Sequence, residues 1–416
     1  MKNQAIIESA IKDCIYSDDL YFYKKLNKVD YRDQVIQSAL NKSIEKFASI
    51  NLDMNILNGK NCFSITDLPT KLLIRKLDKN IRSLLPNTKS RGQITRQIKP
   101  FLKEGTKYKI YKLDIKSFYE SINKDFIIEK VLLSGLSKQS KILIKSFLEC
   151  FWANGNTGIP RGVEISPPLA DLLLAPFDLF IRNLDGIFYS TRFVDDILII
   201  TNGQECHREF YKTLQNNLPI GLTFNYNKKS IINVEDQGIL GSEAAKFDFL
   251  GYEFKVKNRT LSGNNGAKHR TKKAQYREVF IDLTDSKLKK IKTKISRSIY
   301  LYQKHGDFYL LVDRLAFLSS NRNILNKRNN KKVVTGFYYN HCCIDKESKK
   351  TLKLDHFLKS KILACNTQRN LPSKNLLSQQ EKRRLLENSF GRGFRSDNYK
   401  RFSPQRLREI KDAWRY

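Results

Sequence analysis

The sequence predicts an α+β protein in which a strand-rich central region lies between helical regions. Residues 1–105 have a helical and basic pattern, residues 106–255 contain short segments of alternating polar and apolar residues, and residues 286–303 return to helical spacing. Strands and helices that occupy separate stretches of a chain are typical of an α+β fold. At 416 residues, the chain is long enough for two or three domains.

The charge of the chain indicates a polyanionic partner. Lys and Arg number 76 against 42 Asp and Glu, which gives a net charge of +34 at pH 7. A charge of this size attracts nucleic acid, because binding releases condensed counterions. The alternative interpretation is a solubilising surface in a protein from an AT-rich genome, where lysine and asparagine are frequent.

Targeting features and cysteine content predict a cytoplasmic protein with no membrane partner. No apolar run approaches the ~20 residues of a membrane span, and the polar N-terminus lacks the pattern of a secretory signal. The seven cysteines are odd in number and include no CxxC pair. That usage is typical of free thiols in a reducing compartment.

Two segments place carboxylates at the ends of predicted strands. YKIYKLDIKSFYESI (108–122) begins as a strand with Asp114 at or near its end, and IFYSTRFVDDILIIT (187–201) predicts a hairpin with Asp195 and Asp196 at its turn. If the strands are neighbours in one sheet, the three acids converge. Carboxylates on rigid strand ends can hold two Mg²⁺ ions about 3.5–4 Å apart, as phosphoryl transfer requires. The alternative is an ordinary Asp-rich turn.

The segment GIPRGVEISPPL (158–169) predicts a loop followed by a helix. Ser166 is the expected N-cap and Pro167 the expected first helical residue, and Pro176 should kink or interrupt the helix. Two glycines in the loop allow backbone to approach a base pair or a sugar closely. The alternative is a tight turn in front of a core helix.

Five segments, in this order, resemble the successive palm motifs of reverse transcriptases. They are LDIKSFYESI (113–122), GIPRGVEISPPL (158–169), FVDD (193–196), GLTFNYNKKS (221–230) and FDFLGYEF (247–254). The resemblance implies a right-hand polymerase with fingers, an antiparallel palm sheet and a helical thumb, followed by a basic helical C-terminal region. It assigns residues 1–112 to an N-terminal region and the fingers, and residues 113–255 to the palm, with a finger insertion around 124–155. Residues 256–365 are assigned to the thumb and residues 366–416 to a basic C-terminal extension.

The resemblance also implies roles for individual residues. Asp114, Asp195 and Asp196 match the carboxylates that bind two Mg²⁺ ions, with Mn²⁺ as an alternative, and the Ile115 carbonyl would join them. The positions expected at the nucleotide are Tyr119, Arg91, Arg96, Ile115, Pro160, Arg161, Gly162, Lys228 and Lys229. Spacing leaves open which of the two adjacent lysines lies beside the triphosphate. Phe249, Leu250 and Gly251 match the primer grip.

Tyr119 matches the aromatic gate that crowds a ribose 2′-hydroxyl and thereby selects deoxynucleotides. Viral RNA replicases have an acid at that position, so the phenol favours DNA synthesis. The alternative is a core aromatic residue beside Phe118. Two positions depart from the family pattern: Phe193 stands where Tyr is usual, and Arg161 where Gln is frequent.

Segments after the palm resemble those of bacterial antiviral, defence-associated reverse transcriptases, which are related to retron and group II intron enzymes. They are REVFIDLTDSKLKKIK (277–292), VDRLAFL (312–318) and GFYYN (336–340). They are most similar to the first, "a", enzyme of the type-three defence system. The resemblance implies an RNA-directed DNA polymerase, a nucleotidyltransferase that copies a structured noncoding RNA into DNA from deoxynucleoside triphosphates.

Partners and alternative functions follow from the same resemblance. The implied protein partner is a second reverse transcriptase or a second copy of this chain. The alternatives are a template-independent or protein-primed DNA polymerase of the abortive-infection kind, an RNA replicase, and a non-catalytic RNA-binding scaffold with a palm fold. The basic C-terminal tail (382–416) combines arginines with aromatic residues, which suits RNA. The alternative for the tail is a solvated amphipathic helix pair that closes the thumb.

Overall fold

The computed structural model divides into two compact units. It describes residues 4–47, 50–57, 59–236, 242–260, 275–325, 332–346, 348–366, 375–395 and 399–414. Among the described residues, the first unit comprises those within 4–90 and 106–235, and the second comprises those within 91–105 and 236–414. The division into four segments that the motif resemblance implies stays a prediction.

Helices and strands alternate irregularly along the chain. The helices are α1 (Glu8–Lys12), α2 (Ser17–Phe22), α3 (Val29–Glu45), α4 (Leu68–Arg82), α5 (Arg91–Leu102), α6 (Phe118–Ser121), α7 (Lys124–Leu133), α8 (Lys138–Ala153), α9 (Ser166–Arg182), α10 (His207–Asn216), α11 (Asp285–His305), α12 (Phe308–Ser319), α13 (Phe337–Asn340), α14 (Lys349–Leu363), α15 (Gln379–Leu386), α16 (Phe390–Arg395) and α17 (Pro404–Asp412). The strands are β1 (Leu52–Leu57), β2 (Lys60–Ile65), β3 (Tyr108–Asp114), β4 (Ile187–Phe193), β5 (Asp196–Thr201), β6 (Ser230–Val234), β7 (Glu243–Phe249), β8 (Tyr252–Thr260), β9 (Gln275–Leu283), β10 (Asn321–Leu325) and β11 (Lys332–Gly336).

A four-stranded antiparallel sheet organises the first unit, with the strand order β4-β5-β3-β6. Strand periodicity puts Tyr111, Leu113 and Ile115 of the β3 segment on one face, where they join the hydrophobic core with Ile197 and Ile199. The same core contains the apolar face of α9. The predicted α+β class with an antiparallel sheet is therefore confirmed.

Helix α9 differs from its prediction in two details. Its N-cap is Ile165 rather than Ser166, because the Ser166 hydroxyl instead donates to the Pro160 carbonyl oxygen at 2.6 Å. The helix also continues through Pro176 to Arg182, so of the expected kink or interruption, the interruption does not occur. Burial of Leu173, Leu174, Phe177 and Ile181 offsets the hydrogen bond that the proline removes.

The N-terminal region predicted as helical also contains a β-hairpin. Strands β1 and β2 pair antiparallel with Leu57 opposite Lys60. The dipeptide Asn58-Gly59 between two short runs is a strong hairpin signal in the sequence, and Gly59 has the positive φ of 72° that such turns require. The helical prediction for residues 1–105 is wrong here, because the Asn-Gly turn favours two paired strands.

A three-stranded antiparallel sheet, ordered β7-β8-β9, and the long helix α11 form much of the second unit. The predicted helix over 286–303 is confirmed as α11 (Asp285–His305). Its first turn is capped, since the Thr284 hydroxyl accepts from the Lys287 N–H at 3.2 Å. Its end lies at Gly306, whose φ of 78° suits a helix terminus.

The C-terminal region is basic and helical, as predicted, and its aromatic side chains pack within the second unit. Phe390 is buried with its ring centroid 5.0 Å from that of Phe337, and the Trp414 ring lies 5.7 Å from Phe317. These rings therefore contact protein, which favours the packing alternative over base stacking for the tail. Across the described ranges, no helix has both the length and the apolar character that crossing a membrane requires.

Candidate active site

Sheet register brings the three predicted carboxylates to one end of the first unit's sheet. Asp114 is the last residue of β3 and is the direct cross-strand partner of Asp196, the first residue of β5. Asp195 lies in the two-residue turn between β4 and β5, and its carbonyl oxygen accepts from the Ile115 N–H at 3.1 Å. Residues some eighty positions apart are thus neighbours because their strands pair.

The electrostatics of this cluster favour a bound cation. Burial, then the charges of Asp195 and Asp114, raises the pKa of the Asp196 carboxyl above its ordinary value. Asp114 is itself buried, with 8% of its surface exposed. Like charges held this close in a partly desolvated site repel each other unless positive charge neutralises them.

Lys228 supplies one such positive charge from the segment before β6. Its ammonium lies 2.9 Å from Asp114 Oδ1, and the Asn225 side-chain amide donates to Asp114 Oδ2 at 3.2 Å. Asn225 also accepts from the Asn227 N–H, which fixes the short 3₁₀ helix Tyr226–Lys228. The hydrogen bond to Asp114 raises the pKa of Lys228, so the ammonium keeps its proton.

The adjacent lysine has different surroundings. The Lys229 ammonium lies 4.2 Å from the centroid of the Tyr211 ring and 4.7 Å from that of Tyr226. A cation over two aromatic faces is held there by their quadrupoles. The structure therefore places Lys228 at the acids and Lys229 between the two rings, a distinction that spacing in the sequence leaves open.

The donor set fits a hard divalent cation in its chemistry. Carboxylates at strand ends together with a backbone carbonyl, such as that of Ile115, are the oxygen ligands that Mg²⁺ prefers. Among the described residues, no three His, Cys, Asp or Glu side chains are gathered closely enough to hold one ion. In this arrangement, Lys228 and Asn225 engage the two carboxylate oxygens of Asp114.

Tyr119 lies on the short helix α6, five positions after Asp114 in the sequence. The residue is 8% exposed, and the Arg161 guanidinium lies 4.9 Å from its ring centroid. Burial raises the pKa of the phenol to about 12, so it stays neutral. Arg161 also forms a two-pronged ion pair with Glu120, with distances of 3.0 and 3.1 Å. The arginine that replaces the usual glutamine therefore links the loop 158–162 to α6.

Two glycines of that loop meet neighbouring backbone too closely for any side chain. A Cβ at Gly158, where φ is +64°, would lie 2.0 Å from the Tyr119 carbonyl oxygen. A Cβ at Gly162, where φ is +100°, would lie 2.6 Å from the Phe63 carbonyl oxygen. Between them, the buried Pro160 accepts the Ser166 hydroxyl hydrogen bond. The loop is thus a fixed connection between α6, the β1–β2 hairpin and α9.

Arg192 on β4 is a positioning residue that the sequence reasoning missed. Its buried guanidinium donates to both Asp178 oxygens at 2.9 and 2.8 Å, to Asp171 at 3.0 Å and to the Val194 carbonyl at 3.1 Å. It therefore ties α9 to the turn that carries Asp195. The available signal was two acids seven positions apart, on one face of an otherwise apolar helix.

The remaining predicted site residues lie in the second unit. Arg91 begins α5, and Arg96 on the same helix donates to the Cys342 sulfur at 3.1 Å. Phe249 is buried at the end of β7, and Leu250 and Gly251, with φ of 49° and 82°, form the tight turn into β8. The triphosphate role of the two arginines and the primer-grip role of the turn stay predictions.

Comparison with known proteins establishes the family. Residues 29–254, more than half of the chain, match the reverse transcriptase (RNA-dependent DNA polymerase) family. The chain belongs to this family, which consists of RNA-directed DNA polymerases, a class of nucleotidyltransferases, and the prediction of a right-hand polymerase fold is confirmed. No curated protein matches the chain.

Several solved structures similar to this chain are telomerases. A C-terminally truncated apo telomerase from Candida tropicalis is 14% identical over 53% of this chain and 58% of that chain, with a TM-score of 0.37. The apo telomerase from Candida tropicalis is 13% identical over 88% and 65%, with a TM-score of 0.39. Telomerase from Candida albicans, in complex with a fragment of telomeric RNA, is 11% identical over 94% and 66%, with a TM-score of 0.36. The chain thus spans less than two thirds of the length of these telomerases.

Proposed function

We propose that this protein is an RNA-directed DNA polymerase that extends a primer with deoxynucleotides. The observation that carries the proposal is the direct pairing of Asp114 with Asp196, beside Asp195, inside the region that matches the reverse transcriptase family. A cluster of three carboxylates at one sheet edge is suited to phosphoryl transfer with two divalent ions.

In the proposed reaction, the primer's 3′-hydroxyl loses its proton to solvent, and its oxygen attacks the α-phosphorus of a deoxynucleoside triphosphate. A bond forms between these atoms, the bond to the bridging oxygen breaks, and pyrophosphate leaves with the electron pair. Asp114, Asp195 and Asp196, with the Ile115 carbonyl, would hold two divalent ions. When bound, two Mg²⁺ ions supply electrostatic stabilisation of the attacking and leaving oxygens.

Lys228 is assigned to the triphosphate side of the site. Its side chain is 61% exposed, so the ammonium can turn from Asp114 towards a triphosphate when divalent ions neutralise the acid. Its raised pKa keeps it protonated near neutral pH, and the charge then offsets the negative charge that develops on the leaving group. Lys229 remains between its two tyrosine rings.

Tyr119 is assigned to sugar selection. A neutral phenol ring beside the acids occupies space that a ribose 2′-hydroxyl would need, whereas an acid would accept a hydrogen bond from it. Tyr119→Val should therefore lower discrimination against ribonucleotides by about tenfold or more, while Tyr119→Phe should retain it. Competition between deoxynucleotides and ribonucleotides in primer extension measures both, and equal discrimination in both variants would contradict the assignment.

We also propose a biological role in which the enzyme copies a structured noncoding RNA during bacterial antiphage defence. The support is the resemblance of the segments after the palm to defence-associated enzymes, together with a net charge of +34 that suits RNA. A second reverse transcriptase or a second copy of this chain is the proposed protein partner, and the cytoplasm is the proposed location.

A template-dependence assay tests the proposed activity. Extension of a labelled primer is measured with an RNA template, with no template, and with ribonucleotides in place of deoxynucleotides. The proposal expects products only with template and deoxynucleotides, and none from Asp195→Ala combined with Asp196→Ala. Products without template would favour the template-independent or protein-primed alternative. RNA binding without synthesis under any condition would favour the scaffold.

A further inference from the structure

A lysine-rich groove lies within the second unit, and the residues that line it include none of the carboxylate site. Its volume is about 650 Å³, and its walls are one face of β8 and β9, the end of α5 and the start of α14. Eight lysines and four acidic residues line it. Because Glu253, Lys255 and Lys257 alternate along β8, their side chains share the face that forms the floor.

The acidic side chains of the groove are engaged by the protein itself. Glu253 is buried and lies 3.0 Å from the Lys350 ammonium and 3.2 Å from that of Lys255. Asp345 accepts from the Ile281 N–H at 2.7 Å, and Asp282 accepts from the Ser348 hydroxyl at 2.6 Å. Glu278 pairs with Arg259 at 3.0 Å. These four carboxylates therefore stabilise the walls of the groove. They are poorly placed to neutralise the remaining lysines that line it.

Four exposed lysines of the groove lie more than 4 Å from every carboxylate oxygen of the described residues. Lys103, Lys346, Lys349 and Lys353 are exposed, and none forms an ion pair within the described part of the chain. Unpaired ammonium groups that surround one groove repel each other, so an anion with several charges lowers their energy. Displaced counterions add a favourable entropy when the anion is a nucleic acid.

The composition of the walls distinguishes between kinds of polyanion. Lysines are compact point charges and contact phosphates without the planar, two-pronged geometry with which arginine reads base edges. Among the described residues that line the groove, the only aromatic ring is Phe280, and the Lys257 ammonium lies 5.7 Å from its centroid. Single strands are usually held by stacked aromatic platforms, which this groove lacks in its described part.

We propose that this groove binds the phosphate backbone of a double-helical nucleic acid, without reading its sequence. The groove is a second contact for a folded nucleic acid, additional to the proposed catalytic site. The inference does not depend on polymerase activity, because it concerns binding alone.

The test compares two variants that remove the same charge. The groove variant carries Lys103→Gln, Lys346→Gln, Lys349→Gln and Lys353→Gln. The control variant carries Lys24→Gln, Lys25→Gln, Lys28→Gln and Lys212→Gln, four exposed lysines of the first unit. Fluorescence anisotropy measures the Kd for a labelled 20-base-pair RNA stem, a DNA duplex and a single strand over a range of salt, without nucleotides. Thermal melting by circular dichroism checks that both variants fold.

The groove variant should bind duplexes at least about tenfold more weakly than the control, with a shallower salt dependence. Each lost phosphate contact reduces the slope of log Kd against log salt by about 0.9. A loss for the RNA stem alone, or for both duplexes, supports the proposal. The same Kd and slope as the control would overturn it, and an equal loss for the single strand would overturn the assignment to a duplex.

Discussion

At the residue scale, the different roles proposed for Lys228 and Lys229 depend on which side chains their ammonium groups contact. The Lys228 ammonium lies 2.9 Å from Asp114 Oδ1, whereas that of Lys229 lies over the Tyr211 ring at 4.2 Å. In the proposed reaction, Lys228 would therefore compete with a divalent ion for the Asp114 carboxylate. Its removal should affect ion binding and catalysis in opposite directions, because the proposal assigns the same ammonium to the leaving group.

Lys228→Ala should bind Mn²⁺ more tightly in the absence of nucleotide, by about fivefold for the loss of one nearby charge. Its kcat for primer extension should fall by about 10²-fold, as for the loss of a positioned acid or charge. Electron paramagnetic resonance measures free Mn²⁺, and rapid-quench extension measures kcat. Lys229→Ala is the matched control and should change neither quantity by more than about twofold. Unchanged Mn²⁺ affinity in Lys228→Ala would contradict the competition.

At the element scale, the turn between β4 and β5 has an unfavourable backbone that the buried Arg192 restrains. Val194 has a φ of 61°, which is rare for a β-branched residue and costs about 1–3 kcal/mol. The Arg192 guanidinium holds the Val194 carbonyl and two acids of α9. Helix α9 packs in the hydrophobic core. Its two acids therefore hold Arg192 in place, and Arg192 thereby holds the turn that carries Asp195.

Arg192→Gln should lower both stability and the rate of the chemical step. The free energy of unfolding should fall by about 3 kcal/mol, since Asp171 and Asp178 lose a buried partner. Because the turn then moves, kcat should fall while the KM for deoxynucleotide changes little. Urea denaturation and steady-state kinetics measure these quantities. Arg182→Gln, at an exposed arginine that ends α9, is the control. If Arg192→Gln loses stability but keeps the wild-type kcat, Arg192 stabilises the fold without positioning Asp195, which would contradict the prediction.

A second prediction at this scale compares Gly158, in the loop 158–162, with Gly155, which lies three positions before it. Gly158→Ala should destabilise the fold by about 2–4 kcal/mol, because its Cβ would collide with the Tyr119 carbonyl at a positive φ. Gly155→Ala has a similar φ of +77° but open space around it, so about 1 kcal/mol is expected. Urea denaturation compares the two. Equal losses would show that backbone conformation, rather than the close contact, sets the cost.

At the scale of the whole molecule, patterns that repeat along the chain were predictable and contacts between distant segments were not. The alternation in β3 and the paired acids at 195 and 196 predicted that three carboxylates share a sheet edge, where the structure places them. The contacts of Arg192 and Asn225 were missed because each depends on a partner supplied by another element. The placement of α5 in the second unit likewise depends on long-range packing.

Two predictions about α9 that rest on local residue preferences differ from the structure, because tertiary contacts outweigh those preferences. Ser166 has the right type for an N-cap, but its hydroxyl bonds to Pro160 instead. Pro176 has the right type for a helix break, but the buried face of α9 continues through it. Both cases show that burial and a single competing hydrogen bond outweigh an intrinsic preference of about 1–3 kcal/mol.

The proposal for the whole molecule requires that Asp195 hold a divalent ion during nucleotide transfer. The most direct measurement is single-turnover extension of a primer on an RNA template, in Mg²⁺, by Asp195→Asn and by Asp185→Asn, a control at an exposed acid of the same unit. The account predicts a rate at least about 10³-fold lower for Asp195→Asn alone, with RNA affinity unchanged in both variants. Extension by Asp195→Asn at the wild-type rate would contradict it.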